Sequence, residues 1–489
     1  MPQLTSKVDL RGCTSSLYYI RVSLNPKMSD LLFPGTDTNG DLIPDTTAQQ
    51  GLLYIILESN DLLAKPLDFR GVGPGGLFGF DGLSYLFVIK NPLITTLRLP
   101  GTDSNGDLIP DTTAQEETTN WNIYENPLLT SKIDLRGSSA SKFISIYLNS
   151  KMTTVRLPGT DSNGDLIPGT TAQEALQVVD LKSNLLLEGK IDLRGCTSSL
   201  YKFLVSGKVT DVRLPGTDIN GDLIPDTTAQ QGLKEFRIFN CPFLNSKVNL
   251  SGADEDLATL WVFNNPLIET VTLPSAAETA QQGLEEVRIF GNTIMNSALD
   301  LSGLDSSINT ITIYNNPELT TVTLPTDEDT YANLQNFMIA KNPKLTLTTV
   351  PAFTNSSFFS RYPILLSDNK FTALPCSFLA NTPDDVRVAL AGNTFIGNMQ
   401  ASEYREFLQS TNTRAELDGL YRGIDTYNAS SNIHDASTLS TFSISNAAHL
   451  SGASQSAAQV RAMVENHQEI RTEGCTYIRP HADVVTNRV

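Results

Sequence analysis

Residues 257–265 read Leu-Ala-Thr-Leu-Trp-Val-Phe-Asn-Asn. Apolar side chains stand at positions 1, 4 and 6, with Asn at 9. Alternation over positions 4 to 7 is the mark of a half-buried strand. The same pattern returns at Leu284, Val287, Ile289 and Asn292, at Ile308, Ile311, Ile313 and Asn316, and at Leu334, Phe337, Ile339 and Asn342. Upstream it is carried by Leu17, Ile20, Val22 and Asn25, and by Leu176, Val179, Leu181 and Asn184. At Leu233, Phe236 and Ile238 the ninth position is Cys241. One such unit cannot bury its apolar face alone, whereas a stack of them can. Strands of successive units then share one parallel sheet, and the Asn or Cys side chain serves backbone groups inside the turn.

Two longer strings repeat around this unit. FPGTDTNGDLIPDTTAQQ begins at Phe33, with near-copies at Leu99, Leu157 and Leu214. The second appears as VDLRG at Val8, LDFRG at Leu67, IDLRG at Ile133 and Ile191, VNLSG at Val248 and LDLSG at Leu299. Fixed-period repetition of this kind signals a repeat architecture.

The nine-residue pattern resembles the leucine-rich repeat family, over roughly residues 1–395. The resemblance implies a repeat solenoid, a parallel β coil stack of about fourteen coils with a concave strand face. Residues 402–424 read as helical, so 396–427 is expected to be a small helical cap. Residues 428–489 are expected to be a C-terminal tail or assembly segment, rich in Ser, Ala and Asn. No cap precedes the first coil. That coil is either the cut end of a fragment or a docking edge, or it simply frays.

Lys plus Arg is 35 and Asp plus Glu is 53, a formal charge of −18. This argues against a broad basic face for nucleic acid, and no apolar run is long enough to span a bilayer. Residues 396–489 hold 7 basic and 10 acidic side chains, or −3, leaving −15 to the repeat region. The five cysteines are odd in number and widely spaced, which reads as structural thiols rather than a disulfide framework. The start of the chain shows no basic segment followed by an apolar one, so no secretory signal is read. The repeat type nonetheless favours an extracellular or surface-exposed location.

The acidic loops carry the metal question. Asp103, Asn105, Asp107 and Asp111 stand at alternate positions of TDSNGDLIPD. The string resembles the calcium loops of thrombospondin type 3 repeats and EF-hand-like modules, which implies oxygen ligands for calcium. Carried to the other copies, these are Asp37, Asn39, Asp41 and Asp45; Asp161, Asn163 and Asp165; and Asp218, Asn220, Asp222 and Asp226. The sixth position is Leu rather than Gly, and the twelfth is Ala rather than a carboxylate. A purely structural loop, with Asn-Gly making a tight turn, fits the same residues.

Position 7 of successive units holds Phe239, Phe263, Phe290 and Tyr314, with Tyr124 and Tyr147 in earlier units. Trp261, Arg237 and Arg288 stand at position 5. Aromatics with arginine on a rigid face are typical anchors for a protein or glycan. Stacked rings that stabilise the sheet are the alternative. Catalysis finds little support. All four histidines lie beyond residue 433, spaced by 15, 18 and 14, and no phosphate loop or nucleophile elbow is present. The expectation is a non-enzymatic recognition protein of the leucine-rich-repeat type. The second candidate is a structural subunit of an extracellular or virion-like assembly, self-associating through the first coil or the tail.

Overall fold

The computed structural model describes residues 7–10, 17–33, 52–70, 72, 83–101, 115–216, 228–274, 276, 279–347, 364–366, 368–371, 387–389 and 455–456. Its contacts divide the chain into Met1–Ala253 and Asp254–Val489.

The first unit carries a parallel ladder of long strands: Tyr19–Ser23, Tyr54–Glu58, Tyr85–Ile89, Asn120–Tyr124, Phe143–Tyr147, Val178–Leu181, Lys202–Val205 and Glu235–Phe239. Register is direct: Ile144 lies opposite Trp121, and Ile146 opposite Ile123. The alternation in the sequence becomes alternation of burial. Trp121 and Ile123 are buried, as are Ile144 with Ile146 and Phe236 with Ile238, while the residues between them face outward. A second row of short parallel pairs lines the other side of the repeats. Leu67–Asp68 pairs with Leu97–Arg98, Ile133–Asp134 with Val155–Arg156, and Glu188–Asp192 with Lys208–Arg213. Each short strand turns an apolar residue inward, such as Leu67, Ile133 and Ile191.

The second unit repeats the arrangement. Its long strands are Thr259–Phe263, Glu286–Phe290, Thr310–Tyr314, Asn336–Ala340, Ile364–Leu365 and Arg387–Ala389. Gln455–Ser456 pairs antiparallel with the last of these. Its short row is Leu299–Asp300, Thr321–Thr323 and Thr346–Leu347.

Between the two rows runs a column of buried asparagines. In the first unit the backbone N–H of Asn60 donates to Asn91 Oδ1, Asn91 to Asn126, Asn126 to Asn149 and Asn149 to Asn184, at 3.0–3.2 Å. Each Nδ2 donates to a carbonyl of the preceding repeat, as from Asn126 to Val88 O at 2.8 Å. The second unit continues identically through Asn292, Asn316, Asn342 and Asn369. Buried amides are costly unless paired, and here each is paired. The residue before the Asn sits at positive φ in most repeats, including Leu24, Leu148, Asn264 and Asn315.

These findings correct the leucine-rich-repeat solenoid. No α-helix occurs among the described residues; the helical turns there are two 3-10 segments, Thr279–Gln281 and Glu328–Tyr331. A horseshoe bends because helices, about 10 Å across, sit wider on one wall than strands at about 4.8 Å on the other. Here both walls are strands at the same spacing, so the sheet has no reason to curl. The concave face falls with that geometry, and so do the protein or glycan partner expected on it and the recognition mechanism built on the family. The shared nine-residue pattern is explained by the physics of a parallel strand followed by a buried Asn. The expected cap at 396–427 lies outside the described residues. So do the tail, save Gln455–Ser456, and the boundary between them. No described helix is long and apolar enough to cross a membrane.

Candidate functional site

The outward face of the long strands gathers the aromatic residues singled out above, in separate groups. In the first unit Tyr124 and Tyr147 are register partners and stack at 4.5 Å and 5°. Lys182 Nζ lies 4.5 Å from the Tyr147 ring centre and bonds Asp180 Oδ2. Burial raises both hydroxyls, that of Tyr147 to about 12. That moves them away from neutrality, the opposite of what acid–base catalysis needs. Arg237 and Phe239 stand on Glu235–Phe239, where Arg237 Nε is 2.7 Å from Glu235 Oε1.

In the second unit Phe263 and Phe290 stack at 4.3 Å and 7°. The Arg288 guanidinium lies 4.9 Å from the Trp261 ring and is paired with Glu286 on its own strand. Tyr314 is the register partner of Phe290, and Lys341 Nζ lies 5.2 Å from its ring. Rings pair with rings, and cations pair with rings or local carboxylates. Such cross-strand pairs each contribute a fraction of a kcal/mol, roughly 0.2–1, to the sheet. Sequence reading missed a further column, Tyr19, Tyr54 and Tyr85, of which the last two stack at 4.7 Å. Its signal was present: Tyr at the third position of the first three units.

Of the four acidic loops, the third is described. Asp161 Oδ1 accepts the N–H groups of Asn163 and Asp165, and Asp161 O accepts that of Gly164. Gly164 has φ +86°, and a Cβ there would meet Lys190 O at 3.2 Å, so the Asn-Gly turn requires its glycine. Asp165 is clamped by Lys190 Nζ at 2.9 and 3.0 Å and by Arg213 Nη1 at 3.0 Å. Burial alone would raise the Asp161 carboxyl; the N–H groups of Asp165, Asn163 and Gly164, with Lys190, bring it below the usual range. The third loop is therefore organised by protein donors and cations. Asp37, Asn39, Asp41, Asp45, Asp103, Asn105, Asp107, Asp111, Asp218, Asn220, Asp222 and Asp226 lie outside the described residues.

Two other devices were unread in the sequence. The Gln of the TTAQ string is a staple. Gln173 Nε2 donates to Pro158 O and Asp192 O, and its Oε1 accepts from Gly195 N. Gln115, Gln230 and Gln281 repeat the double donation. Tyr331 takes the same place one repeat later, its hydroxyl donating to Pro325 O. The second device is the Asp-x-Arg of the DLRG string. Asp68–Arg70, Asp134–Arg136 and Asp192–Arg194 form close pairs at 2.7–2.8 Å, with each carboxylate nearly or wholly buried. Both strings repeat visibly; the Gln partners lie 15 and 19 residues away, whereas the Asp–Arg partners are two residues apart.

Cys196 and Cys241 are buried thiols. Burial pushes both thiols up, Cys241 to about 12, which makes them poor nucleophiles. Cys13, Cys376, Cys475 and the four histidines lie outside the described residues. Among the described residues no cluster of three His, Cys, Asp or Glu could hold a metal ion. No family model matches the chain and no curated protein matches it.

Proposed function

We propose that the protein is a non-catalytic structural protein, a repeat-built parallel β-ladder that holds its outward residues at fixed strand spacing. The observation that carries this reading is the asparagine column. It pairs the buried amide of repeat after repeat with protein partners in both units. The outward aromatics and arginines fit the same role, because their charges are already matched within the sheet.

Calcium belongs to this proposal as a stabiliser of the loops beginning at Phe33, Leu99 and Leu214. The third loop is left out of it, because Asp165 already carries two cations. Calorimetry on EDTA-treated protein should give calcium-dependent heat that is unchanged in Asp165→Asn and reduced when Asp103 and Asp107 become Asn. No heat at all would remove the metal from the proposal.

The structural reading is tested with the outward face. The wild type and a variant with Trp261, Phe263, Phe290 and Tyr314 changed to Thr are compared over a panel of polysaccharides and proteins. Neither should bind saturably. Saturable binding by the wild type that the variant loses would sink the reading.

A further inference from the structure

The segment 158–173 lies against the Glu188–Asp192 strand and the turn that follows it. It is held there in two chemically different ways. Gln173 is the buried hold shared with other repeats, and its Oε1 is 3.8 Å from Cys196 Sγ. At the other end, Leu166 packs over Gly195, where an added Cβ would meet Leu166 Cδ1 at 3.1 Å. The tip is held by charge. Asp165 faces Lys190 from one short strand and Arg213 from the next. Arg213 is shared with Asp192 and Asp211, Arg156 Nε donates to Ser162 O, and Leu166 N donates to Asp192 Oδ2. Side-chain exposure separates this tip from the wall below it. Asp165 and Lys190 are 29% and 35% exposed, against 0% for Asp192 beneath. Salt and solvent reach the tip pairs and do not reach the wall pair.

We infer that residues 158–173 form an ionic strap: Asp165, clamped between Lys190 and Arg213, sets how often the segment lifts from the wall, and lifting uncovers Cys196 while the ladder stays folded. The inference stands apart from the structural reading above, since a strap can open on a scaffold or on a binding protein alike. Opening of a surface segment at a free energy well below global unfolding is ordinary behaviour.

Cys196 is the built-in reporter and Cys241, buried in the same unit, is the internal control. The full chain is labelled with iodoacetamide and each cysteine peptide is quantified by mass spectrometry. Four samples are compared in low and high sodium chloride: wild type, Asp165→Asn, Lys190→Gln and, as an exposed control, Glu188→Gln. Cys196 labelling should rise roughly fivefold in the two strap variants, and in the wild type at high salt. Glu188→Gln should match the wild type, and Cys241 should stay unlabelled throughout. Three results would overturn the strap. Cys196 labelling could stay unchanged in both variants and in salt. Glu188→Gln could have an equal effect. Cys241 could rise in step, which would mean general loosening. If Asp165→Asn does not fold, the Lys190→Gln and salt arms decide alone.

Discussion

The arginine turns of the first unit and the Asp300 turn of the second build the same turn after the short strand with different chemistry. At three turns of the first unit the string is Asp-x-Arg-Gly with a buried Asp, at Asp68, Asp134 and Asp192, and the Arg neutralises it at hydrogen-bond distance. In the second unit Leu299-Asp300-Leu301-Ser302-Gly303 makes the turn, Asp300 is exposed, and Ser302 donates to it through both N–H and hydroxyl. The turn itself needs only an oxygen that accepts the N–H two residues on, which Asp68, Asp134, Asp192, Asn249 and Asp300 all provide. The arginine answers a different demand. The third acidic loop covers Asp192 and gives it the Leu166 N–H, so that carboxylate is out of water. A buried charge without a partner is far more costly than a buried pair. The four acidic loops all lie in the first unit, as do the arginine turns. Where the acceptor is neutral, as at Asn249 in the first unit, or exposed, as at Asp300 in the second, Ser suffices.

The largest test of this contrast removes the arginine. Arg194→Ser should lower stability by about 3 kcal/mol, because Asp192 stays buried and loses its bidentate partner. Adding Asp192→Asn should restore much of the loss. Asp300→Asn, the same step in the second unit, should stay within about 0.5 kcal/mol. Denaturant midpoints at constant slope measure all three.

A change to the shared interior should erase the difference between the units. Asn126→Ala and Asn316→Ala each remove a buried amide that joins two repeats. Each should cost about 2 kcal/mol, with similar loss in either unit. A clearly larger loss in one unit would show that the two interiors are not equivalent.

Acid separates the units again. Asp161 in the first unit has its carboxyl held low, so its contribution is present above the ordinary value near 3.9 and is lost as pH falls through the folded value. Asp254 in the second unit is raised, by burial first and then by Asp256 and Glu255. Its protonated form is favoured in the fold, so its contribution improves as pH falls through that raised value. Hydrogen exchange from pH 6 to 3 should therefore loosen 161–165 and tighten 254–257.

The smallest effect is at the turn before the asparagine column. Leu148 has φ +56°, where the second unit places Asn264 and Asn315. A side chain other than Gly, Asn or Asp is strained there, so Leu148→Asn should add about 0.5–1 kcal/mol, read as a rise in Tm.

Much of the strand pattern was legible because burial follows local alternation. Leu260 and Val262, or Ile311 and Ile313, announce their inward side within five residues. The asparagine was legible for a related reason, since a polar residue repeated at the end of an apolar pattern must satisfy something inside. The family expected from that pattern did not hold. The pattern records one strand and one turn, and is silent about whether the return path is helix or strand. The nine outward residues could be placed on one face, yet their pairing with Glu235, Glu286 and Lys182 rests on side chains two residues away or one strand over.

By itself the sequence determined the repeat, its strand, its buried Asn and the acidity of its loops, because these follow from residue types at fixed short spacing. Only the tertiary structure decided that both walls are strands, so that no concave face arises. It also decided that Asp165 is held by Lys190 and Arg213, 25 and 48 residues away, and that Gln173 staples three segments. Those outcomes depend on which repeat lies against which, and no local spacing encodes that.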